Sequence, residues 1–417
     1  MAEQTKILIC VTEDNRNKIY KMVDDGDGNF TAHWGRVGAT LNQTKYGMNK
    51  WGSQYNAKLK GKVNKKTGKR EPYIDQTELY EVSDSKVDFA NISDRVINKI
   101  VTDLQRYANK SVSSNYTVSS EAVTQKQVDE AQSLLDEVVP MIALRKRTGP
   151  INKQLLELFR TIPRKMGHVK DFLIDEDVRT ISDDGIRDNV QNIVQREQDT
   201  LDVMRGQVGV HTAQTQQTND DQQTLLEAMG IEMWAPEDKE IATIKKMLGN
   251  ISNKFYAAYC VKNLKNEKRF QDWLAKQKNK KCYLYWHGSR NENWWSILDT
   301  GLVLRPTNAV ITGKYLGYGT YFANRAKKSL GYSSLHGSYW AGGSSNRGFL
   351  SLYNVHVGKS LVTNKHQYWM NSMDWKRLQK EGDYHSMFFK GGANLINDEI
   401  VVYLEEQTSI RFLVELK

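Results

Sequence analysis

The hydrophobic periodicity of this 417-residue chain changes twice, which constrains its fold more than any single motif does. The first eighty or so residues alternate short β-like runs ("KILICVTE", "KIYKMV", "FTAHWGRVGA") around the turn "DDGDGN", the pattern of a small antiparallel sheet. After "ELYEVSDSK" the apolar spacing lengthens to three and four. Ile92, Val96, Ile97, Ile100, Val101 and Leu104 in "NISDRVINKIVTDLQRY" fit one helix face; "TQKQVDEAQSLLDEVVPMI" and "INKQLLELFRTIP" continue a helical bundle. From about Leu225 the β-like runs "CYLYWHG", "GTYFA", "GFLSLYNVHVG", "EIVVYLEEQ" and "IRFLVEL" return among glycines and aromatics, preceded by a helix and strand in "KEIATIKKMLGNISNKFYAAYCVKNL". The expected architecture is α+β multidomain: a small sheet over residues 1–86, a helical bundle over 87–218 and a β-rich α+β domain over 219–417. The polar stretches "NKSVSSNYTVSS" and "VHTAQTQQTNDDQQ" read as loops, the second near a domain boundary.

Charge narrows the partners. A net charge of +10 favours a polyanionic partner, although basic excess alone more often reflects a solvated surface than a binding face. Between Lys45 and Arg70 the chain carries Lys45, Lys50, Lys58, Lys60, Lys62, Lys65, Lys66, Lys69 and Arg70, has no acid, and interleaves Tyr46, Trp51 and Tyr55. Such a run suits phosphate neutralisation with base stacking, and equally suits a solvated helix whose aromatics pack inward. Cys10, Cys260 and Cys282 are too far apart for a CxxC knuckle, so the chain offers no zinc framework and fits a reducing, intracellular compartment. The apolar run near the N-terminus is strand-like and too short for a signal sequence, and no stretch approaches a membrane span.

Three sites stand out in the last part. In "YLYWHGSRNENWW", His287 closes an apolar run, and Gly288 and Ser289 follow: a histidine that can bond a ribose hydroxyl, then a backbone that a planar amide can approach closely. In "GKYLGYGTYFANRAKKSLGYS", Gly313, Gly317 and Gly319 permit a tight loop, Tyr321 sits on a short strand, and Ser329 and Tyr332 lie about one helical turn apart. Two tyrosines brought together can sandwich a flat ring. In "NLINDEIVVYLEE", Asp398 and Glu399 enter an apolar strand, where an acid is costly unless it is paired or working. Each site also has a plain structural reading: a turn histidine, core tyrosines, a strand-edge acid.

In order and spacing, His-Gly-Ser-Arg, Tyr-Phe-Ala and the strand-opening Glu together resemble the His-Tyr-Glu signature of the poly(ADP-ribose) polymerase family. "HWGRVGA" is similar to the WGR module of that family's DNA-dependent branch; "TQKQVDEAQSLLDEV" and "INKQLLELFRTIPRKMG" resemble its autoinhibitory helical domain; "FYAAYCVKNLKNEKRFQDW" resembles the entry to its catalytic fold. The resemblance implies a WGR DNA-binding domain, a helical regulatory domain and an ADP-ribosyltransferase catalytic domain, in a layout like the shorter DNA-dependent members. It also implies roles. NAD+ is the substrate and no metal is required. His287 holds the adenine-side ribose, Gly288 clamps the carboxamide with help from Ser329, Ser289 belongs to the same cofactor-binding step, and Tyr321 and Tyr332 bracket nicotinamide. Glu399 stabilises the oxocarbenium character as the glycosidic bond breaks, Lys328 stands beside it, and Trp34 and Arg36 contact DNA. The implied partners are DNA strand breaks (5′-phosphorylated ends or nicks), protein acceptors and the chain itself, with no membrane. The implied location is DNA-associated: nuclear in a eukaryote, cytoplasm or nucleoid for a bacterium or virus.

The chain also departs from the pattern. Val303 stands where relatives carry an arginine, which leaves the adenine-side contact open between loss and transfer to Arg305; Lys314 stands where many have tyrosine. "QYWMNSMDWKRLQKEGDYHSMFFKGGAN" diverges most, and with it acceptor preference and product length. Mono(ADP-ribosyl) transfer to protein or DNA termini, and an idle DNA-end adaptor, are the rival expectations.

Overall fold

The computed structural model describes residues 4–65, 67–80, 87–218, 222–305, 316–392 and 395–417. Lys66, Gly313 and Lys314 lie outside the described residues, as do residue 86 of the first expected boundary and residue 219 of the second. The chain folds as two compact units, one of residues 1–85 with 111–208 and one of 86–110 with 209–417. These units cut across the three segments expected from periodicity, because the helices Arg95–Asn115 and Asp184–Thr215 each contribute to both.

In the first unit, five antiparallel strands run in the order Asn42–Gly47, Asn29–Arg36, Arg16–Asp24, Thr5–Thr12, Ile74–Asp75. Leu8, Tyr20, Met22, Phe30 and Ala32 form the core of one face, and the helix Trp51–Lys60 closes it with Trp51, Tyr55 and Leu59, spaced one helical turn apart. The helices Gln125–Ala143 and Thr148–Thr161 pack together, the first opened by a reciprocal Thr124 and Gln127 capping box. Both polar loops expected from composition prove partly helical: Asn109–Asn115 continues the helix begun at Arg95, and Val210–Thr215 completes the helix begun at Asp184. Burial overrides polarity in the first case, where Val112 and Tyr116 are enclosed.

The second unit is built on two sheets. The larger is antiparallel throughout, in the order Tyr283–Gly288, Gly348–Val355, Thr408–Leu416, Phe255–Asn263, Ile231–Trp234. The smaller orders Thr320–Phe322, Glu399–Val402, Ser386–Phe389, Ser360–Thr363, the last pair parallel. Trp286 and Ala323 exchange backbone hydrogen bonds of 2.8 and 2.9 Å and thereby tie the two sheets together beside His287. Every β-like run singled out in this part of the sequence is a strand. Among the described residues no helix is long and apolar enough to cross a membrane.

Candidate active site

The strand Tyr283–Gly288 alternates its side chains, so Leu284 and Trp286 join the core while His287 turns to the opposite face. His287 Nδ1 lies 3.2 Å from the Tyr321 carbonyl. A carbonyl only accepts, so this geometry places a proton on Nδ1. The next residue has to be glycine: a Cβ at Gly288 would stand 2.0 Å from the Ser329 carbonyl oxygen. That contact sets the backbone of the His-Gly step directly against the buried Ser329. The Ser289 hydroxyl accepts from Asn293 Nδ2 at 3.1 Å and so shapes the following turn.

The smaller sheet presents Tyr321 and Glu399 from neighbouring antiparallel strands, with Phe322 opposite Ile400. The glycines before Tyr321 are demanded by space as well as by turn geometry. Gly317 has φ +71° and sits against the Met373 backbone; a Cβ at Gly319 would stand 2.3 Å from Val401 Cγ1. The loop so formed fixes the Tyr321 phenol, which accepts from the Leu316 N–H and donates to the Gly317 carbonyl, each at 3.1 Å. Burial pushes this phenol well above its ordinary pKa, and the Glu399 charge pushes it the same way. Tyr332, on the turn after the short helix Ala326–Leu330, is also raised by burial and then by Glu399. Both rings therefore lie within electrostatic reach of one carboxylate.

Glu399 itself is nearly buried. Lys328 Nζ donates to its Oε1 and, at 3.3 Å, to the Asp398 carbonyl. Its Oε2 is buried and meets no hydrogen-bond partner among the described residues. Asp398 is fully engaged elsewhere, taking Asn324 Nδ2 at 2.7 Å and the Gly391 N–H at 2.9 Å. A carboxyl group held by the lysine at one oxygen, with the other oxygen unmet, is equipped to bond a substrate hydroxyl and stabilise positive charge developing near it. His287, Gly288, Tyr321, Ser329, Tyr332, Lys328 and Glu399 thus converge on the seam where the sheets meet. Arg305, half-buried, borders undescribed residues. No cluster of three or more His, Cys, Asp or Glu residues able to hold a metal occurs among the described residues.

In the first unit, Trp34 is 44% exposed on the strand Asn29–Arg36. Arg36, two residues on, is half-buried: its guanidinium donates to the Asn15 backbone carbonyl and Oδ1, both at 3.1 Å, to the Met166 carbonyl at 3.2 Å, and to the Gly167 carbonyl. The aromatics of the basic run face inward: Phe30 stacks on Tyr46 at 5.4 Å and meets Trp51 edge-on at 5.1 Å, and Tyr55 donates to Asp75. Of the two readings of this run, the inward-packing one holds for its three rings: Tyr46 on the strand Asn42–Gly47, and Trp51 and Tyr55 one turn apart on the helix, pack against the sheet's core. Lys58 follows them, lying 3.9 Å above the Tyr20 ring, while Lys45 pairs with Asp27 and Asp25.

Two joined sheets bring a histidine, two tyrosines and a partly buried glutamate to one seam. The family model described as Poly(ADP-ribose) polymerase catalytic domain matches residues 238–417. The chain is 32% identical to the poly [ADP-ribose] polymerase-like protein 100L of Invertebrate iridescent virus 6 over 186 residues, which cover 43% of this chain and 95% of that protein. It is 29% identical to Poly [ADP-ribose] polymerase 2 of Zea mays over 178 residues (41% of this chain, 26% of the plant protein), and 42% identical to the human Poly [ADP-ribose] polymerase 2 over 76 residues (18% and 12%). The chain belongs to the poly(ADP-ribose) polymerase family, and it is an enzyme that uses NAD+ as the substrate for ADP-ribosyl transfer.

Proposed function

We propose that the chain is a DNA-break-dependent ADP-ribosyltransferase that cleaves NAD+ to nicotinamide and passes ADP-ribose, singly or as a growing chain, to protein acceptors including itself, in the response to DNA damage. The observation that carries the chemistry is Glu399, fixed by Lys328 at one oxygen and unmet at the other. In this reading Oε2 accepts the 2′-hydroxyl of the nicotinamide ribose. As the C1′–N bond breaks, its electron pair leaves with nicotinamide, and the carboxylate steadies the positive charge gathering on the ribose. An acceptor hydroxyl then adds to C1′ through its oxygen, and its proton passes to solvent. His287 Nε2 takes a hydroxyl of the adenine-side ribose; the Gly288 backbone and Ser329 hold the carboxamide; Tyr321 and Tyr332 flank the ring.

DNA dependence is supported by the "HWGR" resemblance and by Trp34, a large indole left in solvent on a rigid strand, where it can stack on an exposed sugar or base at a break. The exposed lysines of residues 50–65 supply phosphate neutralisation without base preference. Arg36 could reach a phosphate only in competition with the carbonyls it already serves. The protein acts wherever broken DNA is held: a nucleus, a nucleoid, or the cytoplasm of an infected cell.

The test uses labelled NAD+ with and without a nicked or blunt duplex carrying a 5′ phosphate, with Glu399→Gln as control. A DNA-stimulated ladder is expected, and transfer by the control should fall about 10²–10³-fold. A single discrete adduct would establish mono-transfer; no nicotinamide release under any DNA condition would overturn the proposed chemistry and leave a DNA-end adaptor.

A further inference from the structure

Against Tyr332 of the proposed nicotinamide wall, the chain displays aromatic surface, Trp340 and Tyr339, that the reaction does not use. Tyr332, Trp340 and Tyr339 are 44%, 65% and 81% exposed. Trp340 lies nearly parallel to Tyr332, interplanar angle 18° and centroids 6.2 Å apart; Tyr339 meets its edge at 4.6 Å and 90°. The segment that carries them has no regular secondary structure, yet it is pinned. The Gly331 carbonyl accepts from both Trp340 N–H (2.8 Å) and Ala341 N–H (2.9 Å), His336 N–H bonds the Ser345 carbonyl at 2.7 Å, and Gly343 N–H bonds Ser338 Oγ at 2.8 Å. Leu335, in its middle, is buried in the core of the larger sheet. A Cβ at Gly331 would come within 2.9 Å of Trp340 Cδ1, so a glycine here lets the indole sit close.

Large rings held rigidly in water lose the benefit of burial and gain it when a partner covers them. The charge around them selects that partner. No Asp or Glu occurs between Asp299 and Asp374, and exposed Arg290 reaches the platform's edge, its Nη2 3.4 Å from the Ala341 carbonyl. An exposed cation beside stacked aromatic faces matches unpaired bases joined by phosphates. A duplex hides its base faces and would gain only the phosphate contacts.

We propose that Tyr332, Trp340, Tyr339 and Arg290 form a binding platform for single-stranded nucleic acid. Bases stack on Trp340 and Tyr339, and the backbone runs past Arg290. Placing the bound strand at the mouth of the NAD+ site rests on the assignment of Tyr332 to the nicotinamide wall; the binding itself does not.

The test is photo-crosslinking of the full chain to a short oligothymidylate carrying 5-iodouracil, followed by peptide mapping, with nicotinamide release followed in parallel. A crosslink within residues 331–347 is expected. It should survive excess blunt duplex, and Tyr339→Ala and Trp340→Ala should weaken strand affinity about tenfold or more while Trp340→Phe retains most of it. Crosslinks confined to other residues, unchanged affinity in both alanine variants, or displacement from this segment by blunt duplex or oligo-glutamate would each overturn the proposal. A retained crosslink with no nicotinamide release would instead count against the NAD+ reading alone.

Discussion

Gly288 shows how closely one residue can be specified. Its absent side chain is where the Ser329 carbonyl lies, so Gly288→Ala must push the two backbones apart at the point proposed to grip the carboxamide. The KM for NAD+ in the variant should rise about tenfold or more, with a loss of roughly 1–3 kcal/mol in unfolding free energy; steady-state kinetics beside denaturant titration checks both. Asp299 gives a pH signature. Burial pushes its carboxyl up to about 6, with only Lys265 opposing. The folded state therefore holds this proton more tightly than the unfolded one, the stabilisation is complete below about pH 4, and it is lost as pH rises through 6. Asp299→Asn should flatten that loss and be more stable than the parent at neutral pH by about 1–2 kcal/mol, less than the full shift implies because the side chain keeps partial exposure. Denaturant unfolding of both proteins across this range measures the difference. At this scale the candidate site residues were readable because His287, Tyr321 and Glu399 interrupt apolar runs, where a polar group needs a reason. Tyr339 and Trp340 were not readable, since sequence does not tell a buried ring from an exposed one.

Secondary structure was legible wherever the buried face is apolar. The strands of both units and the helices through Leu104, Leu135 and Leu155 announce themselves by spacing. The 32-residue helix Asp184–Thr215 does not, because its enclosed face carries Gln191, Glu197, Gln198 and Gln207 among its valines. Two of those groups, Glu197 and Gln198, are satisfied by partners remote in sequence. Gln198 and Gln132 exchange reciprocal amide bonds of 2.8 Å, and Glu197 pairs with Arg164, both almost fully buried. Arg164 also donates to the Asn115 carbonyl at 3.1 Å and lies 5.0 Å from the Tyr116 ring, which explains why the polar "NKSVSSN" stretch is ordered as helix. Removing one member of such a pair strands a charge. Glu197→Gln is expected to cost about 3–5 kcal/mol in chemical unfolding, whereas Arg164→Met with Glu197→Leu should recover most of it. Equal losses in the single and double variants would show that the pair contributes more than mutual neutralisation.

For the whole molecule, the proposed DNA dependence requires that a break bound near Trp34 alter the chemistry proposed at Glu399. Within the first unit, the sheet is fastened to the helical segment by hydrogen bonds between side chains and backbone. Arg160 bonds the Val11 carbonyl at 2.8 Å, Asn17 the Arg164 carbonyl at 3.3 Å, and Asn15 Oδ1 takes the Val169 N–H at 2.9 Å while also holding Arg36. Arg36 is the centre of that fastening and stands only two residues from Trp34. If DNA favours one arrangement of the helical segment over another, the free-energy difference has to pass through contacts of this kind. Arg36→Ala separates two roles. As a fastening, its loss should leave the salt dependence of DNA affinity unchanged while reducing the stimulation of nicotinamide release at saturating DNA, and should increase hydrogen exchange around residues 164–169. As a phosphate contact, its loss should lower the slope of log affinity against log salt by about one and leave stimulation at saturation intact. The four carbonyl and amide oxygens around the guanidinium favour the first result, which anisotropy titrations at several salt concentrations and a saturated rate measurement would establish.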